Sequence, residues 1–506
     1  MSPVSLSRIL RDNARSRPDT PVVTESESRR VSTWAELDIH ANQVAAALRS
    51  EGVGRGDRVV FWGYNCLEFF ELYFATARIG ATLVPLNWNL NDDEIESLIE
   101  AMGAAFCVID PRFAPRLRRP VLVVGEAFDA WRDAQQAEDP GDTATASDVF
   151  VQPYTSGTTG TPKGVMLTND NLGAFVRANE MLGYDEESVQ LLSLPNYHIG
   201  GCVFPLLSLI AGGQLVIVNR FSASTVLDTI DHFGITHLNL VPTMINMVID
   251  AQEERARDVS SVRFIIYGAA PVTEKTVARC QRVLGVSLLQ QYASTECLSI
   301  TYLGPDDHVP EALQSVGRPY PGVTLEIRDP VTDAPVPPLE RGEIVVRSPQ
   351  STVGYWRLPE QTRRLIGHDG AVRTGDIGYL DEQGNLHLTG RVGDMIVTGG
   401  ENIYPTEIET VLDAHPHVAE VAVAGAPDER WGEIVVAFVV PTVDSQLSES
   451  ELLDWSRTRL AGYRRPRRVV FVDSIPRNPT GKITRAALRT LPGLDEASVP
   501  NPTVVS

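Results

Sequence analysis

The run Thr155-Ser-Gly-Thr-Thr-Gly-Thr-Pro-Lys-Gly164 is built from glycine, hydroxylated residues, one proline and one lysine. Glycines let the backbone turn sharply and approach a ligand, so that successive N–H groups can face an anion. Thr155, Ser156, Thr158 and Thr159 add hydroxyl donors, Gly157 and Gly160 supply the turns, and Lys163 adds a point positive charge. The run follows the apolar residues 149–151. It therefore reads as a loop leaving a strand, the place where open α/β sheets bind phosphates. It is not the P-loop of NTPases, because Pro162 stands five residues after Gly157, where that motif has glycine followed by lysine. A solvated Gly/Thr turn is the bland alternative, and the density of donors weighs against it.

Outward from this loop, helical and strand patterns alternate, as in a parallel α/β arrangement. Leu37, Ala41, Val44 and Leu48 space a helix over residues 33–50 behind a Ser32/Thr33 cap. Residues 58–62 and 81–86 read as strands around a helix over 67–79 with one apolar face. Residues 133–148 are polar and small, an exposed connector ahead of the loop. Strands follow at 214–218, 237–241 and 263–267, and the Pro- and Gly-bounded strands 322–329 and 342–347 suggest a β-subdomain. Past residue 391 the pattern becomes compact α+β, with helices over 405–413 and 448–460 and strands over 418–425 and 433–441. The expected fold class is α/β. A large N-terminal domain (1–391) of α/β subdomains plus a β-subdomain is followed by a hinge (392–394), a small mobile α+β C-terminal domain (395–491) and a disordered tail (492–506).

At 506 residues the chain exceeds one core, and its 43% hydrophobic and 22% charged content is that of a globular protein. The net charge of −21, from 44 basic and 65 acidic residues, argues against nucleic acid and anionic membranes as partners. The cysteines at 66, 107, 202, 280 and 297 are scattered, without a C-x-x-C pair, as in a reduced cytoplasmic protein without structural zinc. The first residues lack the apolar core of a signal peptide, and no apolar run approaches a membrane span. A homodimer is compatible with this composition.

Further polar sites call for more than packing. Gly268-Ala-Ala-Pro271 follows a strand, and its small residues leave a flat slot beside the backbone. Gln290-Gln-Tyr-Ala-Ser-Thr-Glu296 follows another and offers an aromatic face, hydroxyls and a carboxylate together. Tyr292 can stack on a base, and Glu296 can hold a hard cation such as Mg²⁺. Thr374-Gly-Asp376 places a carboxylate where ribose hydroxyls could donate to it. Each alone is weak, since a strand-end carboxylate is usually just solvated. Together with the phosphate loop they describe a nucleoside triphosphate site.

These pieces, with Leu194-Pro-Asn-Tyr-His-Ile-Gly-Gly201, Gly390-Arg391, Gly399-Gly-Glu-Asn-Ile-Tyr-Pro405 and Asn478-Pro-Thr-Gly-Lys-Ile483, resemble the adenylate-forming superfamily. That superfamily comprises acyl- and aryl-CoA synthetases, adenylation domains and luciferases. The resemblance runs from about Leu6 to Leu491 and looks nearest to bacterial fatty-acyl and aryl-CoA ligases. It implies a lid domain that rotates between two half-reactions, with ATP, Mg²⁺ and CoA as cofactors and a small-molecule acid as substrate. By resemblance, residues 155–163 hold the β- and γ-phosphates, and Thr155 and Glu296 engage Mg²⁺. Gly268, Ala269, Ala270 and Tyr292 enclose adenine, with Gln291, Ala293, Ser294 and Thr295 alongside. Asp376 and Arg391 hold ribose, and Lys482 bridges the carboxylate and the α-phosphate.

His198 would sit beside the substrate carboxylate, in an acid pocket with Asn196, Tyr197, Gly268 and Ala293. Amino-acid-activating relatives have an aspartate where Tyr197-His198 has none, which argues against an α-amino acid. Gly399, Gly400 and Tyr463 would meet CoA, helped by the basic run 463–468, whose bland reading is a solvated loop. Lys482, too, could be a plain turn lysine without the family. Asn196 replaces a bulky apolar residue, Ala293 replaces the commoner glycine, and Gly393 replaces the usual hinge Asp or Lys. The expected activity is ATP-dependent carboxylate–CoA ligation on a fatty or aryl acid. The alternative is adenylation of another oxyacid, such as nitrite for diazotisation of an arylamine, and a nucleotide-binding regulator is a distant third.

Overall fold

The computed structural model describes residues 6–141, 143–156, 162–398, 401–428, 430–443, 445–477 and 483–491. It resolves into two compact units. The larger takes the chain up to Glu326 together with Val345–Thr374 and Leu380–His387. The smaller takes Ile327–Ile344, Gly375–Tyr379 and the chain from Leu388 on.

One sheet of the larger unit runs Leu167–Thr168, Val149–Val151, Thr82–Pro85, Arg58–Trp62, Ala104–Ile109, Leu122–Val123, all neighbours parallel but the first pair. Every residue of Arg58–Trp62 is buried, and its apolar run 59–62 is that of a parallel strand covered on both faces. Helix Trp34–Ser50 starts at a capping box between Thr33 and Glu36. Helix Leu67–Ile79 ends at Gly80, whose φ of 69° closes the helix in the left-handed region. That helix is buried on all sides rather than along one apolar face. Its charges are tolerated because each is paired: Glu68 with Arg30 at 2.7 Å, Glu71 with Arg132 at 3.0 Å, and Arg78 with Asp38.

The second sheet is nine-stranded. Its strands Ser287–Ser294, Phe264–Tyr267, His237–Leu240, Val189–Leu192, Gln214–Ile217 and Pro21–Glu25 are parallel neighbours in that order. Antiparallel strands finish both edges. Helices Ala223–Phe233, Pro242–Glu254 and Glu274–Leu284 pack Val226, Val248 and Leu284 onto Leu238 and Ile265 of the sheet. The two sheets meet through loops at their carboxyl ends. Asn65 donates to Leu194 O at 2.9 Å, the Asn196 N–H donates to Asn65 Oδ1 at 2.9 Å, and Asn196 Nδ2 donates to Gly63 O at 3.0 Å. Crevices at such carboxyl ends are where α/β sheets hold ligands.

The β-rich stretch contains strands Thr324–Arg328, Gly342–Arg347, Val372–Leu380 and Leu386–Arg391. The smaller unit is built on a five-stranded sheet centred on Gly432–Pro441, which pairs antiparallel with Val418–Asp428 and Ile396–Thr398 and parallel with Arg468–Phe471. Helices Pro405–Asp413 and Glu449–Arg457 bury Ile408, Leu412 and Leu452 against it.

Candidate active site

The arms of the Gly/Thr loop form a β-hairpin, Tyr154–Ser156 against Pro162–Gly164, with Thr155 directly opposite Lys163. Its tip, including Gly157, Thr158, Thr159 and Gly160, lies outside the described residues. Gly164 is a close-approach position: a Cβ there would stand 2.7 Å from Gln152 Nε2 and 2.8 Å from Tyr154 Cζ. Beyond it the chain runs alongside residues 354–356. The Trp356 N–H donates to Gly164 O at 2.8 Å, and the Met166 N–H to Gly354 O at 3.0 Å. This brings Tyr355 to the hairpin, with Lys163 Nζ 5.3 Å from the centre of its ring.

The same tyrosine meets Glu296. Its hydroxyl donates to Glu296 Oε1 at 2.9 Å, while the Thr352 N–H donates to Glu296 O at 2.7 Å. Burial, and then the Glu296 charge, push the Tyr355 phenol well above its usual range, so it remains a donor. Glu296 lies in the turn after strand Ser287–Ser294, where the Cys297 N–H donates to Ser294 Oγ at 3.0 Å. Ala293, Ser294 and Thr295 are partly exposed there. The structure therefore brings Lys163 and Glu296 to one tyrosine that the sequence reading did not single out.

Gly268 follows strand Phe264–Tyr267, beside Ser287–Ser294. A Cβ at Gly268 would lie 2.5 Å from Gln291 O, so only glycine lets these backbones approach. Ala269 takes φ of 69°, a left-handed conformation that costs alanine energy and is typically retained at ligand sites. Ala269 and Ala270 are exposed and Tyr292 is buried. The Gln291 side chain points away into a buried polar network, donating to Ser299 Oγ at 2.6 Å and to Asn179 Oδ1 at 3.3 Å. Gln291 can therefore touch a nucleotide only through its backbone.

His198 caps the short helix Ile199–Cys202, its Nδ1 accepting from the Gly200 N–H at 3.2 Å, and is itself exposed. That acceptor role leaves Nε2 to carry the proton of the neutral ring. Tyr197 is buried edge-on to Trp88, ring centroids 4.7 Å apart, and burial pushes its phenol up to about 12. Asn196 is anchored by the loop that carries it. It is 1% exposed, its backbone N–H donates to Asn65 and its Nδ2 to Gly63, and its buried Oδ1 has no partner among the described residues. The reason is topological: position 196 lies on the loop that joins the two sheets.

In the smaller unit, Arg391 Nε donates to Asp376 Oδ1 at 2.7 Å, uniting the two expected ribose contacts. Gly393 lies in the single turn Val392–Asp394. Tyr463 is 41% exposed, but much of the basic run beside it is engaged internally. Arg464 pairs with Glu407 at 3.0 Å, Arg465 donates to Leu460 O and Arg457 O, and Arg467 stacks 4.6 Å from the Trp431 ring centre. Gly399, Gly400 and Lys482 lie outside the described residues. Just beyond Lys482, Arg485 donates two bonds to Glu409, at 2.7 and 2.9 Å, and one to Asp394 at 3.1 Å.

Among the described residues no group of three or more His, Cys, Asp and Glu side chains could hold a metal. A single carboxylate does fit Mg²⁺, which takes one or two protein carboxylates and otherwise keeps waters and substrate phosphates. Glu296 qualifies, since Tyr355 uses Oε1 as an acceptor and the carboxylate retains further lone pairs. Among the described residues no helix is long and apolar enough to cross a membrane.

A lysine-bearing Gly/Thr hairpin, a carboxylate tied to it through Tyr355 and a small-residue slot beyond parallel strands suit an enzyme that handles a nucleotide. The chain belongs to the AMP-binding enzyme family. The model of that family matches residues 10–356, and the model of the AMP-binding enzyme C-terminal domain matches residues 407–482. It is similar to a fatty acid–[acyl-carrier-protein] ligase of Streptomyces coeruleorubidus, at 36% identity over 94% of each chain. It is 36% identical to a feruloyl-CoA synthase of an Amycolatopsis species, over 90% of this chain and 93% of the other. Among solved structures it is similar to the o-succinylbenzoate CoA synthetase of Bacillus subtilis in complex with ATP and magnesium ion. There the identity is 31%, the TM-score 0.84, and the coverage 95% of this chain and 99% of that one. The α/β architecture with its smaller C-terminal domain agrees with the expectation from sequence, and the enzyme is an AMP-forming ligase of the acyl-/aryl-CoA synthetase type. The nitrite alternative has no counterpart among these relatives.

Proposed function

We propose that the chain activates a fatty or aryl acid with ATP and transfers the acyl group to CoA. The carboxylate oxygen attacks the α-phosphorus and pyrophosphate leaves. The CoA sulfur then attacks the acyl carbon, and AMP leaves with the carboxylate oxygen. The observation that carries this reading is the meeting of Lys163 and Glu296 at Tyr355, which sets a cation and a carboxylate beside the anion hairpin. Such chemistry is mostly positioning and charge stabilisation.

In this account the hairpin residues 155–163 hold the β- and γ-phosphates, and Thr155 and Glu296 hold Mg²⁺, which when bound offsets phosphate charge. The slot at Gly268, Ala269 and Ala270, with Tyr292 at its side, receives adenine, and the Asp376–Arg391 pair receives ribose. His198 Nε2 faces the acid, Lys482 joins the carboxylate to the α-phosphate, and Gly393 is the pivot between half-reactions. Gly399, Gly400 and Tyr463 line the path of the thiol. The protein is read as cytoplasmic, and a homodimer is compatible with its composition.

A carrier-protein thiol is the second reading of the acceptor, favoured by the name of the Streptomyces relative. The test is pyrophosphate release across fatty acids, benzoates and cinnamates, each with CoA, with a phosphopantetheinylated carrier protein, or with neither. Acid-dependent release followed by an acyl-CoA product supports the proposal. Acyl-carrier product without acyl-CoA moves the acceptor, and no release with any acid overturns the proposal.

A further inference from the structure

Residues 352–356 form a strap that touches both halves of the phosphate machinery. The strap is tied to the hairpin exit by the Trp356 and Met166 N–H bonds to Gly164 O and Gly354 O, and by Thr352 Oγ1 donating to Met166 O at 2.7 Å. It is tied to the carboxylate turn by the Thr352 N–H bond to Glu296 O. Gly354 has φ of 131°, and a Cβ there would lie 2.5 Å from Thr362 Cγ2. Thr362 Oγ1 in turn accepts from the Tyr355 N–H at 2.9 Å. The backbone of Tyr355 is thus fixed from three sides, and its side chain has little freedom to leave the hairpin.

We propose that Tyr355 is a positioning residue that orients the Glu296 carboxylate for a divalent cation and stations the Lys163 ammonium for a phosphate. A hydrogen bond to Oε1 sets the rotation of the carboxylate and so the direction of Oε2. The ring face attracts the Lys163 cation, 5.3 Å from its centre. One side chain therefore aligns two charges of opposite sign that would serve the two sides of one polyphosphate. This rests on the proposed ATP-dependent function.

The experiment is calorimetric ATP binding over a series of Mg²⁺ concentrations for wild type, Tyr355→Phe, Tyr355→Leu and Glu296→Gln. Tyr355→Phe keeps the ring and loses the bond to a charged acceptor, so its Mg²⁺ midpoint should rise roughly ten-fold, with ATP affinity at saturating Mg²⁺ nearly unchanged. Tyr355→Leu should show the same Mg²⁺ shift and also a several-fold loss of ATP affinity at saturation. In a Glu296→Gln background, adding Tyr355→Phe should shift nothing more. An unchanged Mg²⁺ midpoint in Tyr355→Phe overturns the assignment, as does an equal shift with and without the Glu296 carboxylate. Because binding is read without the acid, a wild type that binds Mg²⁺ and ATP but activates no acid would count against the functional reading alone.

Discussion

Tyr355 and Glu296, 59 residues apart in the chain, are joined by a hydrogen bond of 2.9 Å from the phenol to Oε1. The pair ties the strand-end carboxylate to the Gly/Thr hairpin within one unit of the fold. Glu296 is only partly buried, so the bond orients a carboxylate that keeps access to solvent.

Glu296→Gln keeps the size and an acceptor for Tyr355 but removes the charge. We expect acid activation to slow by roughly 10²-fold or more at fixed Mg²⁺, the usual loss for one preorganised electrostatic group. Thermal stability should stay near that of the wild type. Pre-steady-state pyrophosphate release would measure this, and an unchanged rate would remove Glu296 from the site.

Asn196→Ala should act on stability and leave selectivity alone. It removes the donor to Gly63 O and the amide that spans the junction of the two sheets, at a cost of about 1–3 kcal/mol. Denaturant unfolding gives the first quantity, and specificity constants for a benzoate and a medium-chain fatty acid give the second. A changed ratio of those constants would mean that Asn196 acts on the acid itself.

His237 makes stability depend on pH. It is fully buried, stacked on Tyr184 with ring centroids 4.0 Å apart. Burial, and then the charge of Arg263, lower its pKa from 6.5 to about 4. Between those values the unfolded chain takes up a proton that the folded chain refuses, so stability should fall as pH drops through that window. The slope should approach ~1.4 kcal/mol per pH unit. Urea unfolding from pH 7 to pH 4 should show this component in the wild type and lose it in His237→Asn. Equal slopes would contradict it.

Lys482→Ala should separate the half-reactions. Adenylation is expected to fall roughly 10²-fold, and thioester formation from supplied acyl-adenylate much less. Equal losses in both steps would contradict the assigned role.

Local signals carried much of the architecture. Strand Arg58–Trp62 and helix Leu67–Ile79 stand where the apolar pattern puts them. Helix Asp92–Met102 was equally legible in its Asn91/Glu94 capping box and in Ile95, Leu98, Ile99 and Met102, and went unread. Helix Leu6–Ser16 gives a weaker signal, with little besides Leu6 and Leu10 buried. The donor-rich loop was visible, but its hairpin pairing of Thr155 with Lys163 was not, because cross-strand register is invisible in composition. Tyr355 was missed for a different reason. Its partners, Lys163 and Glu296, are distant in sequence, and the only local hint is the crowded Gly354-Tyr355-Trp356 triplet. The anchoring of Asn196 to Gly63 and Asn65 was not legible either, because a loop beside a site and a loop lining it look alike in sequence.

The central claim, attack of a carboxylate oxygen on the α-phosphate of ATP, is tested most directly with an acid labelled with ¹⁸O in its carboxyl group. Complete turnover with ATP and CoA should place one labelled oxygen in the phosphate of AMP, leave the other in the thioester carbonyl, and leave pyrophosphate unlabelled. Label in inorganic phosphate with ADP as the nucleotide product, or AMP free of label, would contradict it.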